Sequence, residues 1–181
     1  MALRLTLVCH AATQAQKSAR FPADDPVAFD GPLPAALQAI ATGKRTRFMH
    51  APEARARQTA ERLSAQLECV SALRDLDFGR WRGMSIDEVA TAEPEALQAW
   101  LTGWEAAPHG GETLAQLNGR VGRWLGELAG EGHIAAVTHP SVMRMALMRV
   151  LSCPPQAFHT IDIAPLSTLD LRFNGVWRLR L

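Results

Sequence analysis

The sequence predicts an α/β fold: a three-layer sandwich with a mostly parallel central sheet and helices on both faces. Three observations point there. LRLTLV runs into Cys9-His10, IAAVT runs into His139, and TRFMH leads through Ala51-Pro52 into a helical stretch with Arg55 near its start. Short apolar runs bounded by turns and helices read as buried strands of a parallel sheet. Ligands of open α/β sheets bind at the carboxyl ends of the strands. Two imidazoles and a guanidinium are therefore expected to gather at one sheet edge.

In chain order, residues 3–9 read as the first strand, and a Pro- and Asp-containing loop follows over roughly 18–33. Leu33 to Ala41 reads as a short helix stopped at Gly43, and 46–50 as the second strand. Glu53 to Leu67 has helical spacing at Ala56, Ala60, Leu63 and Leu67. The stretch 75–110 reads as irregular, with a short helical piece near Ile86–Ala90, and is a candidate flap over the strand ends. Glu112 to Leu128 is the clearest helix, with Leu114, Leu117, Val121, Leu125 and Leu128 on one face. A strand over 133–138 precedes a helix that begins at Pro140, where proline is well placed, and stops before Cys153-Pro154-Pro155. The remainder alternates like two or three strands, with Asn174-Gly175 as a hairpin turn.

At 181 residues the chain is most simply one domain. A net charge of +1 gives no global field for nucleic acid or membrane, so any attraction for anions must be local. The three cysteines, Cys9, Cys69 and Cys153, are widely spaced and imply neither a disulfide framework nor a zinc ribbon. The six histidines never show metal-ligand spacing, so no metal or cofactor is expected. ATGKRT echoes a phosphate loop, but the glycine that should stand five positions ahead of Gly43 is missing. No apolar run approaches the ~18 residues of a membrane span. A reducing cytoplasm is the default setting.

Two imidazoles with a guanidinium suit a phosphate. Phosphoryl transfer needs an in-line nucleophile, cationic donors around the equatorial oxygens and an acid for the leaving group. His10 suits the nucleophile, because a neutral imidazole attacks phosphorus without first losing a proton. Arg55 offers a planar fork to two oxygens. His139 stands beside a helix N-terminus that favours an anion, and a carboxyl from 75–77 can serve as acid.

These segments together resemble the histidine phosphatase superfamily, the phosphoglycerate-mutase-like proteins. LTLVCHAAT is similar to the opening strand and nucleophile, APEARARQTAERL to the second motif with its pocket arginine, and LRDLDFGRWRG to the acid-bearing segment. HGGETLAQLNGRV and AAVTHPSVMR resemble the Gly-Gly-Glu segment and the second histidine. The small branch that includes α-ribazole phosphatases is the nearest sub-pattern. The resemblance implies His10 as the residue phosphorylated, His139 as its partner and Asp75 as proton donor, with Asp77 the near alternative. It also implies substrate contacts from Arg55, Cys9, Thr13, Gln16, Glu112 and Pro140. The expected activity is metal-independent hydrolysis of a small phosphomonoester, with α-ribazole 5'-phosphate or a sugar phosphate as candidates. Mutase activity is disfavoured, because 75–110 is a modest cover for a site that must retain its phosphoryl group.

The departures from the family pattern fall in the pocket. Cys9 stands at the first pocket arginine, Ala11 at the motif glycine, Ala12 at a glutamate, Asp75 at a glutamate and Arg82 at another glutamate. Arg4, Lys17, Arg80 and Arg82 are the candidates to replace the missing cation. Because of Cys9, the alternative expectation is a phosphate-ester-binding protein without turnover. The expected partner is a small phosphorylated metabolite rather than nucleic acid or a membrane, with a homodimer left open. Plain readings stand beside these: Cys9 as a small core residue, Glu112 as an acid favouring its helix dipole, and His109 as a loop histidine. Trp81, Trp100 and Trp104 read as packing for the flap, and His50, His133 and His159 carry no signal.

Overall fold

The computed structural model describes residues 3–43 and 45–181. Lys44, part of the rejected ATGKRT echo, and the first two residues lie outside them.

Six strands form one sheet: β1 (Leu3–Cys9), β2 (Thr46–His50), β3 (Glu68–Cys69), β4 (Gly132–Thr138), β5 (Thr168–Phe173) and β6 (Trp177–Arg180), in the order β3-β2-β4-β1-β5-β6. The first four are mutually parallel, while β5 and β6 join as an antiparallel edge. Seven α-helices accompany them among the described residues: α1 (Gln14–Lys17), α2 (Ala35–Ala41), α3 (Ala54–Glu61), α4 (Ile86–Ala92), α5 (Pro94–Thr102), α6 (Leu114–Glu127) and α7 (Pro140–Leu151). The expected α/β class, with a mostly parallel sheet between helical layers, is what forms. The central strands β1 and β4 are buried over their last five residues, which explains their continuous apolar runs.

The pairing of β1 with β4 sets the site. In parallel register Cys9 lies opposite Thr138, so the following residues, His10 and His139, leave the sheet side by side. The His10 amide still donates to the Thr138 carbonyl at 3.0 Å, extending the ladder by one bond. On the other side of β4, His50 lies opposite Val137, and β2 exits through Ala51-Pro52 into α3. Three strand ends thus deliver His10, His139 and the start of α3 to one edge.

Local differences from the sequence reading have physical causes. The helix expected over 53–67 ends at Glu61, because the Leu63 amide turns back to Ala60 at 2.8 Å and Ser64 Oγ accepts from the Gln66 amide at 3.1 Å. That turn frees Glu68–Cys69 to pair with β2 as a short strand that alternation could not reveal. The 75–110 stretch, expected to be irregular apart from a short helical piece near Ile86–Ala90, holds that piece as α4 and a second helix, α5. Ser85 and Glu88 form a capping box that starts α4, and Pro94 at the first position starts α5. Glu112 lies before α6, whose cap is Thr113.

Within that stretch two backbone segments approach closely. The Arg80 amide donates to His109 O at 3.0 Å and the Glu112 amide to Asp77 O at 2.8 Å. A Cβ on Gly111 would lie 2.0 Å from Asp77 O, so only glycine fits there. Gly111→Ala should lower stability by about 1–3 kcal/mol, read by chemical denaturation. Gly119→Ala, on the exposed face of α6 with no neighbour within 4 Å, should instead gain about 0.5–1 kcal/mol. Equal midpoints for the two variants would refute this account.

Candidate active site

His10 emerges from β1 almost fully buried. Its Nδ1 lies 2.7 Å from the Ala11 carbonyl, which can only accept, so Nδ1 carries the proton and Nε2 keeps its lone pair. Ala11 is itself held, since its amide donates to Thr59 Oγ1 at 2.9 Å and that hydroxyl donates to Arg55 O at 2.7 Å. Thr59 therefore links the His10–Ala11 backbone to α3. Burial, with His139 and Arg55 nearby, pulls the His10 imidazole from its usual 6.5 down to about 4. It is neutral at pH 7.

Arg55 sits in the first turn of α3, 1 % exposed, and its guanidinium is largely committed. One Nη donates to Ala23 O at 2.6 Å and the other to Asp75 Oδ2 at 2.7 Å, while the buried Nε has no protein partner among the described residues. Asp75 in turn accepts from Ser141 Oγ at 2.5 Å and from the Leu76 amide at 2.8 Å. Burial alone would raise the Asp75 carboxyl. The adjacent His139 and Arg55 and the Ser141 hydroxyl overcome that and hold it well below the usual carboxylate range. The expected proton donor thus has no proton in the free protein.

His139, wholly buried at the entry to α7, stands between two carboxylates. Its Nε2 lies 2.8 Å from Glu53 Oε2, its Nδ1 lies 3.4 Å from Asp75 Oδ2, and its ring centroid is 5.2 Å from that of His10. Glu53 also accepts from the Asp75 amide at 3.0 Å. Burial would raise Glu53, but its contacts with His139 and the Asp75 amide pull it below its usual value. Facing an ionised acceptor, Nε2 of His139 carries a proton.

The cleft above these groups has a volume of about 220 Å³. His10, Thr13, Gln16, Arg55, Asp75 and Pro140 all line it, while the fully buried His139 is outside the lining, packed against His10 and Asp75. Phe78, Trp100 and Phe158 form an aromatic wall, so the 75–110 stretch does border the cleft. Thr13 and Gln16 are partly spent on each other as the capping box of α1.

Two expected contacts are not in the cleft. Cys9 is 0 % exposed beneath the 166–167 turn, where Ser167 O accepts its amide at 2.9 Å, and burial pushes its thiol up to about 12. It is the small core residue of the plain reading and no thiolate. Glu112 faces inward to Arg120 at 2.6 Å, with Arg74 at 3.2 Å. Arg120 also donates to the carbonyls of Ala72 and Arg74 at 2.8 Å each, so this pair braces the segment before Asp75.

None of the four suggested cations replaces the missing arginine. Arg4 pairs with Asp170, Lys17 donates to Ala28 O, Arg80 pairs with Glu93, and Arg82 lies nearest Asp77. Arg144 lines the cleft instead, together with Ser141. The sequence did hold a signal for Arg144: it lies three and four residues after Ser141 and Pro140, hence on the same helix face. Arg120 likewise interrupts the apolar face of α6. Glu53 gave none.

Known proteins resemble the chain along its whole length. A solved structure of a mycobacterial glucosyl-3-phosphoglycerate phosphatase superposes with a TM-score of 0.80 at 21% identity, covering 99% of this chain and 97% of that one. The alpha-ribazole phosphatase of Shigella flexneri gives 0.79 at 22% identity, covering 98% and 95%. At such identities the likeness is one of fold. A bifunctional protein of Mycobacterium tuberculosis is 29% identical over 114 residues, or 60% of this chain. The chain spans only 31% of the length of that curated relative. The sequence profile of the histidine phosphatase superfamily (branch 1) matches residues 5–180, and the chain belongs to that superfamily.

Proposed function

We propose that the protein hydrolyses small phosphomonoesters through a phosphohistidine at His10, without a metal. The observation that carries this is the neutral His10 imidazole, its Nδ1–H locked on Ala11 O and its Nε2 free in a cleft shared with Arg55. In the first step His10 Nε2 forms a bond to phosphorus as the P–O ester bond breaks, and the departing alkoxide takes a proton from Asp75. In the second, water attacks phosphorus, the N–P bond breaks, and Asp75 accepts the water's proton.

Asp75 can play both parts because its proton affinity depends on what occupies the site. In the free protein Arg55 and Ser141 keep it ionised. A phosphoryl dianion beside it would offset Arg55 and add like charge, both of which raise a carboxyl's pKa. The incoming monoester, whose second pKa lies near ~6, can bring the proton with it.

A cavity of about 220 Å³ falls below the ~300–1,000 Å³ typical of drug-sized ligand sites. That supports a phosphoryl group carrying a small alcohol, with larger leaving groups, such as that of α-ribazole 5'-phosphate, extending along the aromatic wall. A second reading, binding without turnover, draws on the loss of the arginine at Cys9. Turnover of a phosphomonoester panel by the parent decides between the two.

His10→Ala should reduce hydrolysis of that panel to the buffer rate, and quenching the parent in base should trap a phosphoryl group on His10 that acid removes. Full activity in His10→Ala would sink the proposal. Asp75→Asn should lower kcat by about 10²–10⁴-fold, measured at saturating substrate. Nitrogen-detected NMR of His10 should find the ring neutral at pH 6 and titrating near 4. Because the unfolded chain takes up that proton below 6.5 and the folded one only near 4, His10 should lower stability as pH falls between those values. A ring that titrates at its ordinary value would contradict the burial argument.

A further inference from the structure

The charges around the cleft leave a phosphoryl dianion short of a partner. Arg55 reaches any ligand with its charge offset by Asp75 at 2.7 Å and one nitrogen spent on Ala23 O. His139 is flanked by the carboxylates of Glu53 and Asp75. At the end of β1, where the family motif brings a second guanidinium, Cys9 is buried and uncharged.

Arg144 fills this gap by geometry. It lies on α7 one turn beyond Pro140 and Ser141, half-buried, and lines the same cleft as His10 and Arg55. Its Nε donates to Ile161 O at 2.6 Å, and its guanidinium carbon sits 5.6 Å from the centroid of the Phe158 ring. These two contacts fix the plane of the group while neither Nη nitrogen has a protein hydrogen-bond partner among the described residues. No carboxylate there forms an ion pair with it; Asp162 and Asp75 act on it only at longer range. It is also near enough to Cys9 for its charge to act on that thiol. An oriented cation with two free donors is suited to bidentate binding of phosphoryl oxygens.

We propose that Arg144 binds the phosphoryl group of the substrate, supplying from α7 the guanidinium that Cys9 cannot supply from β1. This rests on the cleft being a phosphomonoester site.

The test is titration calorimetry of the parent, Arg144→Gln and Arg144→Lys with orthovanadate and with inorganic phosphate, alongside steady-state kinetics. Arg144→Gln should weaken both anions by about 10–100-fold, the range expected for losing a charge-assisted hydrogen bond. Arg144→Lys should recover part of that loss, and added methylguanidinium should partly rescue Arg144→Gln. A parent that binds and hydrolyses normally beside an Arg144→Gln variant of equal affinity and kcat/KM would overturn this role alone. A parent that binds neither anion would overturn the phosphatase reading with it. Should Arg144→Gln fail to fold, the Arg144 Nε–H resonance of the parent must still shift when orthovanadate is added; an unmoved resonance also overturns the assignment.

Discussion

A buried ion pair between Arg55 and Asp75, 2.7 Å apart, joins segments that no backbone ladder connects. Arg55 belongs to α3, Asp75 to the loop after β3, and Ser141, which holds the other carboxylate oxygen, to α7. Glu53 closes the ring by accepting the Asp75 amide and meeting His139. Removing either partner of such a pair strands a charge in a low-dielectric interior, at a cost of roughly 3–5 kcal/mol. The arrangement is therefore both a structural clamp and a charge reservoir. Whatever anion enters must compete with Asp75 for Arg55.

Around that pair the cleft is built in two tiers. Of the side chains that border it, His10, Asp75 and Arg144 are each aimed by at least one group that does not. The Ala11 carbonyl aims His10, Thr59 holds Ala11, the Arg120–Glu112 pair braces the approach to Asp75, and Phe158 with Ile161 orients Arg144. Preorganised dipoles and charges of this kind would not have to reorganise during the proposed attack on phosphorus, which is where electrostatic catalysis gains most.

Much of this was legible in the sequence, for identifiable reasons. Runs that end in His10 and His139 are central parallel strands, buried on both faces, and their period-free hydrophobicity announces them. Where local and tertiary preferences conflict, the sequence pattern misleads. The helical spacing through Leu67 yielded to a serine turn and a two-residue strand, whose existence depends on β2 alone. Motif position alone points Cys9 and Glu112 into the pocket, yet the first is sealed under a turn and the second is taken by Arg120. Ion pairs across segments leave no periodic trace, so Glu53 emerges only once the chain is folded, whereas Arg144 shares a helix face with Pro140 and Ser141 that the sequence spacing already carries.

The two borders of the sheet differ in a way that bears on how the molecule behaves in a crowd. On one side β3 is only two residues long, too brief to template a neighbour. On the other, β6 alternates half-buried Trp177 and Leu179 with exposed Arg178 and Arg180. Like charges spaced along an open margin repel a second copy laid against it, so strand addition, the usual route from sheet to fibril, is blunted at both rims.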